Sequence, residues 1–318
     1  MTTIPCIVSD SLIWNRDKFT IDLINAAPQG PVVVDMKREG PCCHSINLDW
    51  LLQSIPGLEV LAIRTSNQIP SSVFNEIRMP FVELIKAKQK VASVTQHTSN
   101  LKKRFAMFIG RSNWYRLALA SFLWKNYCDE SVLTYHYDRN TEYHQVNLGL
   151  ETLLHKQWNC RQEVYEFLEQ LPMKFDSQNY PILWNEAAFD LDQHYPEIFC
   201  EIVCETFFTG HTFMMTEKIM RPIAQRRPFV VQGPIFFLEN LKRLGFQTFD
   251  QWWDESYDQD PSDGKFDSIS WTLNFIGSQS QDTIAKWYKQ MQPTLEHNAN
   301  ILASLTNNQI TQTIFRKN

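Results

Sequence analysis

Short apolar runs rich in β-branched residues alternate along this chain with segments whose apolar residues recur at helical spacing. The run at 31–36 follows Gly30 and predicts a buried strand. Similar runs predict further strands at 58–63, 104–109, 131–135, 198–206 and 228–233. Strands that alternate with helices favour an α/β fold with a largely parallel sheet.

The segments between these runs carry helical patterns. Trp114, Leu117 and Phe122 recur at helical spacing, for example, and Gly245 stands where a helix over 235–244 would end. The predicted helices span 47–55, 72–89 with an interruption at Pro80, 113–127, 161–170, 217–225, 235–244, and 281–305 with a break near Pro293.

A length of 318 residues suits two domains. The polar, mixed stretch 138–180 is where we place the junction between them. We therefore predict one α/β domain over 1–165 and a second over 166–280, followed by a C-terminal segment, 281–318, that is largely helical.

Composition narrows the class of protein. Hydrophobic residues make up 43% of the chain and charged residues 20%, which predicts a globular fold rather than disorder. A net charge of −5 does not favour nucleic-acid binding, although the basic clusters 102–104 and 226–227 leave it open. Seven irregularly spaced cysteines predict reduced thiols. With no signal peptide or apolar run of about 20 residues, we expect a cytoplasmic protein without a transmembrane segment.

The turn Thr216-Glu217-Lys218 is the leading candidate for a binding site. If Thr216 caps a helix, that helix presents free N–H groups and the positive end of its dipole, which suit a diphosphate. Lys218 and Arg221 would add positive charge, and Glu217 could accept hydrogen bonds from a ribose. The alternative is an ordinary capped helix with charged surface residues.

The stretch from Glu205 to Asp258 resembles the C-terminal domain of GT-B glycosyltransferases, especially the fucosyltransferase-type and exostosin-like proteins and uncharacterised transferases of phage and bacterial surface-glycan loci. The resemblance rests on the Thr-Glu-Lys helix start and on the strand Pro228-Phe229-Val230-Val231 that follows it. It implies a GT-B-like fold, in which two Rossmann-like domains face each other across a cleft. The first domain would hold the acceptor and the second a nucleotide-sugar, and the C-terminal helix would cross back to the first domain.

The same resemblance implies the residues of the donor site. Glu217 would bind the donor ribose and Lys218 and Arg221 the diphosphate, and we place Thr216 and Glu205 with them. Arg111 follows the strand at 104–109 and precedes a Ser-Asn cap, so it could reach a phosphate across the cleft. A salt-bridging arginine beside a turn is an equal alternative.

An inverting transferase needs a general base that takes the proton of the acceptor hydroxyl. Asp35 and Glu39 are the candidates, because functional groups in open α/β sheets gather at the carboxyl ends of strands. A solvated loop is the alternative for each of them.

Other acidic and cysteine-containing clusters give weaker signals. Asp254, Glu255 and Asp258 could bind a metal or an acceptor amine, or form an exposed acidic loop. Asp190-Leu191-Asp192 is a lone DxD that precedes a strand, and the Cys-His groupings lack a CxxC pair, so we predict no metal and no tightly bound cofactor.

These observations lead to one hypothesis and two alternatives. The hypothesis is a metal-independent GT-B glycosyltransferase that moves a sugar from a nucleotide-sugar to a hydroxyl of a glycan or of a modified base in phage DNA. The first alternative is a non-catalytic module of the same fold that binds nucleotides or sugars. The second is a structural scaffold that uses a tryptophan-rich surface.

Overall fold

The computed structural model describes residues 6–9, 15–38, 40–94, 100–136, 151–152, 161–173, 191–261 and 264–316. Within them the chain forms an α/β, Rossmann-like structure with two parallel four-stranded sheets. The strands are β1 (Cys6–Ser9), β2 (Val32–Met36), β3 (Val60–Thr65), β4 (Glu76–Arg78), β5 (Lys103–Ile109), β6 (Ser131–Tyr135), β7 (Ile198–Cys204) and β8 (Phe229–Gln232). The α-helices are α1 (Arg16–Ala26), α2 (Leu48–Ser54), α3 (Leu84–Ser93), α4 (Trp114–Tyr127), α5 (Arg161–Leu168), α6 (Glu217–Ala224), α7 (Phe237–Arg243), α8 (Lys265–Gly277), α9 (Gln281–Ser304) and α10 (Asn307–Gln312).

The first sheet follows the order of the chain, β1-β2-β3-β4. Its strands pair in parallel, with Val34 opposite Ile63 in the central pair. Phe19 and Leu23 of α1 and Leu52 of α2 pack with these strand residues in one small apolar core. Helices that connect adjacent parallel strands in sequence order lie on one face of the sheet, because such crossovers are right-handed. We call this sheet with α1 and α2 the first unit.

The second sheet has the order β6-β5-β7-β8. Every residue of the central strand β7 is buried, as expected for a strand covered on both faces. The larger apolar core surrounds this sheet and includes residues of α3, α4, α6, α8 and α9. We call this sheet with its helices the second unit.

The predicted domain boundary at residue 165 is wrong, because it divides the second sheet. β5 pairs with β7 across it, with Phe105 opposite Cys200. The change from one sheet to the other occurs between β4 and β5, and the intervening helix α3 already belongs to the larger core. The polar stretch 138–180 lies in sequence between β6 and β7, which belong to one sheet, so its composition does not indicate a boundary between the units.

Two predicted helices differ from the structure. The segment 72–89 forms the short edge strand β4 before α3 begins at Leu84, because Pro80 opposes a helix there and β3 offers a free edge. The predicted break at Pro293 does not occur, and α9 continues through it. The carbonyl group that loses its partner belongs to Lys289, which is exposed and therefore accessible to water.

The C-terminal helix α9 packs against α3 and α6. Ile284, Met291 and Leu295 of α9 lie in the larger core. α9 therefore contacts α3, which comes from the N-terminal half of the chain but belongs to the second unit.

Candidate functional site

The order of strands in the second sheet creates a switch point between β5 and β7. From β5 the chain first adds β6 towards one edge of the sheet. It then returns past β5 and adds β7 and β8 towards the other edge. In open α/β sheets, ligands bind outside the carboxyl ends of the strands at such a point. Here those ends are followed by residues 110–113 after β5 and by Glu205 and Thr206 after β7.

Arg116 joins the two sides of this switch point. Its guanidinium group donates to the carbonyl oxygens of Arg111 at 2.9 Å, Glu205 at 2.8 Å and Cys204 at 3.3 Å. The side chain is buried in the first turn of α4, where Asn113 caps the helix by accepting from the Arg116 N–H. Arg116 therefore fixes the ends of β5 and β7 relative to each other. A cation in the first turn of an otherwise apolar helix was the sequence signal for this role.

Glu205 lies at the carboxyl end of β7 and is 2% exposed. One carboxylate oxygen accepts from the Thr216 hydroxyl at 2.6 Å, whereas Oε1 is buried and has no hydrogen-bond partner among the described residues. Burial raises the pKa of Glu205 to about 7, although Lys218 and the Thr216 hydrogen bond act in the opposite direction. The side chain lines a small cavity with Thr206 and Thr212. Glu205 is thus a carboxyl group that can exchange a proton near neutral pH.

The turn Thr216-Glu217-Lys218 begins α6, and the predicted N-cap is confirmed. The Thr216 hydroxyl accepts from the Lys218 N–H at 3.2 Å. The Glu217 carboxylate and the Lys218 ammonium form an ion pair at 2.7 Å, with side chains 26% and 21% exposed. Lys218 Nζ also lies 3.5 Å from the Thr206 hydroxyl. The turn therefore lies beside Glu205 at the end of β7 and keeps partial access to solvent.

Glu83, from the N-terminal half of the chain, interacts electrostatically with this turn. Burial raises the pKa of Glu83, and the Glu217 carboxylate raises it further, while Lys86, Lys218 and Arg38 lower it. Glu83 precedes α3, and Arg38 follows β2 of the first unit. Glu83 thus interacts electrostatically both with the start of α6 and with a residue of the first unit.

Direct hydrogen bonds join the two units next to this region. Asn67, which follows β3, donates through its side chain to the His211 carbonyl at 3.0 Å and accepts from the Phe213 N–H at 2.9 Å. The Thr212 hydroxyl donates to the Gly40 carbonyl. A Cβ atom on Gly40 would lie 2.4 Å from the Asn67 nitrogen, so only glycine allows this close approach.

Arg221 does not belong to the donor site that the sequence predicted. Its side chain points into the larger core, where it forms an ion pair with the fully buried carboxylate of Glu201 and donates to the Tyr195 hydroxyl at 2.9 Å. Its guanidinium group also lies 5.0 Å from the centre of the Phe108 ring. Because Glu201 neutralises it away from the surface, Arg221 cannot bind a diphosphate at the start of α6.

We call Glu205, Thr216, Glu217 and Lys218 the Glu205–Lys218 group. The other predicted site residues are Arg111, Asp35 and Glu39. Arg111 is half-buried at the switch point, and its carbonyl oxygen accepts from Arg116. Asp35 is the penultimate residue of β2, and its carboxylate lies 3.5 Å from Lys37 Nζ and 3.9 Å from Arg64, so its charge is already paired. Glu39 lies outside the described residues, as does Asp190 of the DxD sequence.

The acidic cluster after 253 stabilises its own loops. Asp254 accepts from the Ser256 N–H at 2.9 Å, and Glu255 accepts from the Phe249 N–H at 2.8 Å. Asp258 accepts from the N–H groups of Leu238 and Glu239 and so caps α7. These bonds give the cluster a structural role.

The described part of the chain shows neither a metal centre nor a membrane-spanning helix. Within it, no group of three or more histidine, cysteine, aspartate or glutamate residues is arranged to hold a metal ion. Nor do its helices include one with the length and apolar character that crossing a bilayer requires.

Comparison with known proteins adds little. No family model and no curated protein matches the chain. Among solved structures, the chain is similar to the N-terminal domain of Candida albicans trehalose-6-phosphate phosphatase, with 9% sequence identity and a TM-score of 0.39. That match covers 93% of this chain and 68% of the other. A likeness at this TM-score carries no argument about family or function.

Proposed function

We propose that this protein is a GT-B-like glycosyltransferase that moves a sugar from a nucleotide-sugar to a hydroxyl group. The observation that carries the proposal is the position of the Thr216-Glu217-Lys218 turn. It lies at the end of β7, next to the switch point, with Glu205 beside it and partial access to solvent. Switch points of this kind and helix N-termini are where α/β proteins bind phosphate-containing ligands.

The donor roles follow from the side chains at this turn. Lys218 and the N-terminus of α6 would contact the diphosphate, and Glu217 would accept hydrogen bonds from the ribose. During transfer, the bond between the anomeric carbon and the diphosphate oxygen breaks, and a bond to the acceptor oxygen forms. The nucleoside diphosphate leaves with both bonding electrons, and Lys218 stabilises its developing negative charge.

We assign the acceptor proton to Glu205 rather than to Asp35. The Asp35 carboxylate is paired with two cations, whereas Oε1 of Glu205 has no hydrogen-bond partner among the described residues, and Glu205 lines a small cavity. A carboxyl group with a pKa of about 7 is suited to general base catalysis near neutral pH. The acceptor class is a hydroxyl of a glycan or of a modified nucleobase. The net charge of −5 makes a glycan the first choice for assays.

The proposal is tested by release of nucleoside diphosphate from UDP-, GDP-, CDP- and ADP-sugars, with water or a glycan as acceptor. At least one donor should be turned over. Glu205→Gln should reduce that rate by about 100-fold or more, because general base catalysis contributes about 10²- to 10⁴-fold. Glu169→Gln, which alters an exposed carboxylate in the second unit, is the matched control.

A non-catalytic binding module predicts a different result in the same assay. It would bind a nucleotide but release no diphosphate from any donor, with or without Glu205. Such an outcome would remove the transferase proposal and leave the binding module in its place.

A further inference from the structure

A second cavity opens between the loop 208–211, which follows β7, and the first residue of α8. Its volume is about 110 Å³. Thr209, His211, Asp260 and Lys265 contribute the polar part of its lining, and Phe208 contributes an aromatic wall. These residues are different from those of the Glu205–Lys218 group.

Lys265 is a buried cation with a single hydrogen bond. The side chain is 3% exposed, and Nζ donates to the Gly233 carbonyl at 3.0 Å. Within the described residues no carboxylate oxygen lies within 4.0 Å of Nζ. Nζ also lies 5.9 Å from the centre of the Phe208 ring, and among the described residues its two other N–H bonds have no oxygen or nitrogen acceptor, in a cavity that is open to solvent. A buried charge in this state is costly unless a ligand of opposite charge completes its bonding.

The carboxylates nearest to Lys265 do not complete its bonding. Asp258 accepts from the N–H groups of Leu238 at 2.8 Å and Glu239 at 3.1 Å. Burial lowers the pKa of Lys265 to about 8, and the charges of Asp258 and Asp260 offset only part of that effect. Asp258 and Asp260 therefore compensate only part of the cost of burying the Lys265 ammonium group.

The loop opposite Lys265 offers further donors. In the described part of the chain, the backbone N–H groups of Thr209, Gly210 and His211 donate to no protein acceptor. Gly210 has a φ of +86°, and a Cβ atom there would lie 2.5 Å from the Ser45 hydroxyl. Contact with the first unit thus fixes the loop in a conformation that leaves these amides unpaired. Backbone N–H groups beside a residue with positive φ commonly bind anions.

We propose that this cavity binds a phosphate-type oxyanion, with Lys265 as its cation and the loop 208–211 as a source of additional donors. The inference goes beyond the proposed function and does not depend on it, because the residues of the Glu205–Lys218 group take no part. Asp260 lines the same cavity, and its negative charge repels an anion. Asp260 therefore lowers the affinity for phosphate, whereas Lys265 raises it.

The test titrates sodium phosphate into the full chain and follows thermal unfolding, against sodium chloride at equal ionic strength. Phosphate should give a saturable stabilisation of the wild type. Lys265→Met should weaken the apparent affinity by about tenfold or more, as expected for loss of a charge-assisted hydrogen bond. Asp260→Asn should strengthen it. The exposed control Lys289→Met should leave it within about twofold.

Two results would overturn the proposal. One is the absence of any phosphate effect beyond that of chloride, and the other is loss of the effect in Lys218→Met but not in Lys265→Met. If Lys265→Met does not fold, the wild type still decides the matter by peptide mapping after acetic anhydride treatment. Phosphate should then slow acetylation of Lys265 but not of Lys289, and equal rates with and without phosphate would refute the site.

Discussion

At the scale of single residues, two buried carboxyl groups in the second unit differ in their partners. Glu201 has a partner in Arg221, whereas Glu205, at the end of the same strand, has one oxygen without a partner. Both carboxyl groups are buried, so the difference lies in their neighbours. Removal of one partner from a fully paired ion pair in the core destabilises the fold, whereas a half-paired carboxyl group beside a cavity is a candidate for chemistry.

The Arg221–Glu201 pair predicts a large loss of stability when one partner is removed. Arg221→Met should lower the free energy of unfolding by about 3–5 kcal/mol, because it leaves the Glu201 carboxylate buried without its counter-charge. Urea unfolding measures the change. Arg243→Met is the control, since Arg243 pairs with Glu239 at the surface and should cost less than about 1 kcal/mol. Equal effects of the two substitutions would contradict the internal role of Arg221.

The raised pKa of Glu205 predicts how stability changes with pH. The folded protein keeps the proton up to about pH 7, whereas the unfolded chain loses it near the ordinary value of 4.5. Stability from this group is therefore full below about pH 4.5 and is lost as the pH rises towards 7. Between pH 5.5 and 8.5 the loss should amount to about 2 kcal/mol. Glu205→Gln should remove this loss in urea unfolding, and an unchanged pH dependence would be inconsistent with a neutral Glu205.

At the scale of secondary-structure elements, the start of α6 connects the fold to the candidate site. The Thr216 hydroxyl accepts from the Lys218 N–H and donates to the Glu205 carboxylate, so one side chain both caps the helix and orients the acid. Arg116 performs a similar task at the start of α4 by joining the ends of β5 and β7. The two helix starts together define the geometry of the switch point.

Thr216→Ala should therefore affect both stability and the titration of Glu205. Loss of the cap should lower the free energy of unfolding by about 1–2 kcal/mol. Loss of the hydrogen bond to Glu205 should raise its pKa further, because that bond favours the ionised form. Thr216→Ser keeps the hydroxyl and should restore most of both properties. If alanine and serine behave alike in urea unfolding at several pH values, the hydroxyl does not have these two roles.

At the scale of the whole molecule, the sequence predicts the elements better than their arrangement. The strands at 31–36, 104–109 and 131–135 and the cap at Thr216 follow from local patterns, and the structure confirms them to within a residue. The pairing of β5 with β7 does not follow, because about 90 residues separate the two strands and no local pattern specifies their register. This long-range pairing creates the switch point. It also places the boundary between the two units between β4 and β5 rather than at residue 165.

In the candidate site, too, the sequence predicts what is local but not the contacts that the fold creates. Thr216, Glu217 and Lys218 lie together because they are adjacent in sequence, and their proximity to Glu205 depends on the fold. The buried role of Arg221 had a signal in Glu201, since a carboxylate in the middle of an apolar strand requires a buried cation. Arg116 and Lys265 were missed because a lone cation in a helix start is ordinarily a surface residue.

The central claim is that a nucleoside diphosphate binds where α6 begins, and thermal unfolding with UDP, GDP, CDP and ADP tests it most directly. At about 100 times its dissociation constant, a ligand that binds only the folded state stabilises it by about 2.7 kcal/mol. At least one of the four should raise the Tm of the wild type and of Lys289→Met, and Lys218→Met should lose most of that increase. If none of them raises the Tm, or if Lys218→Met responds as the wild type does, no nucleoside diphosphate binds at this turn.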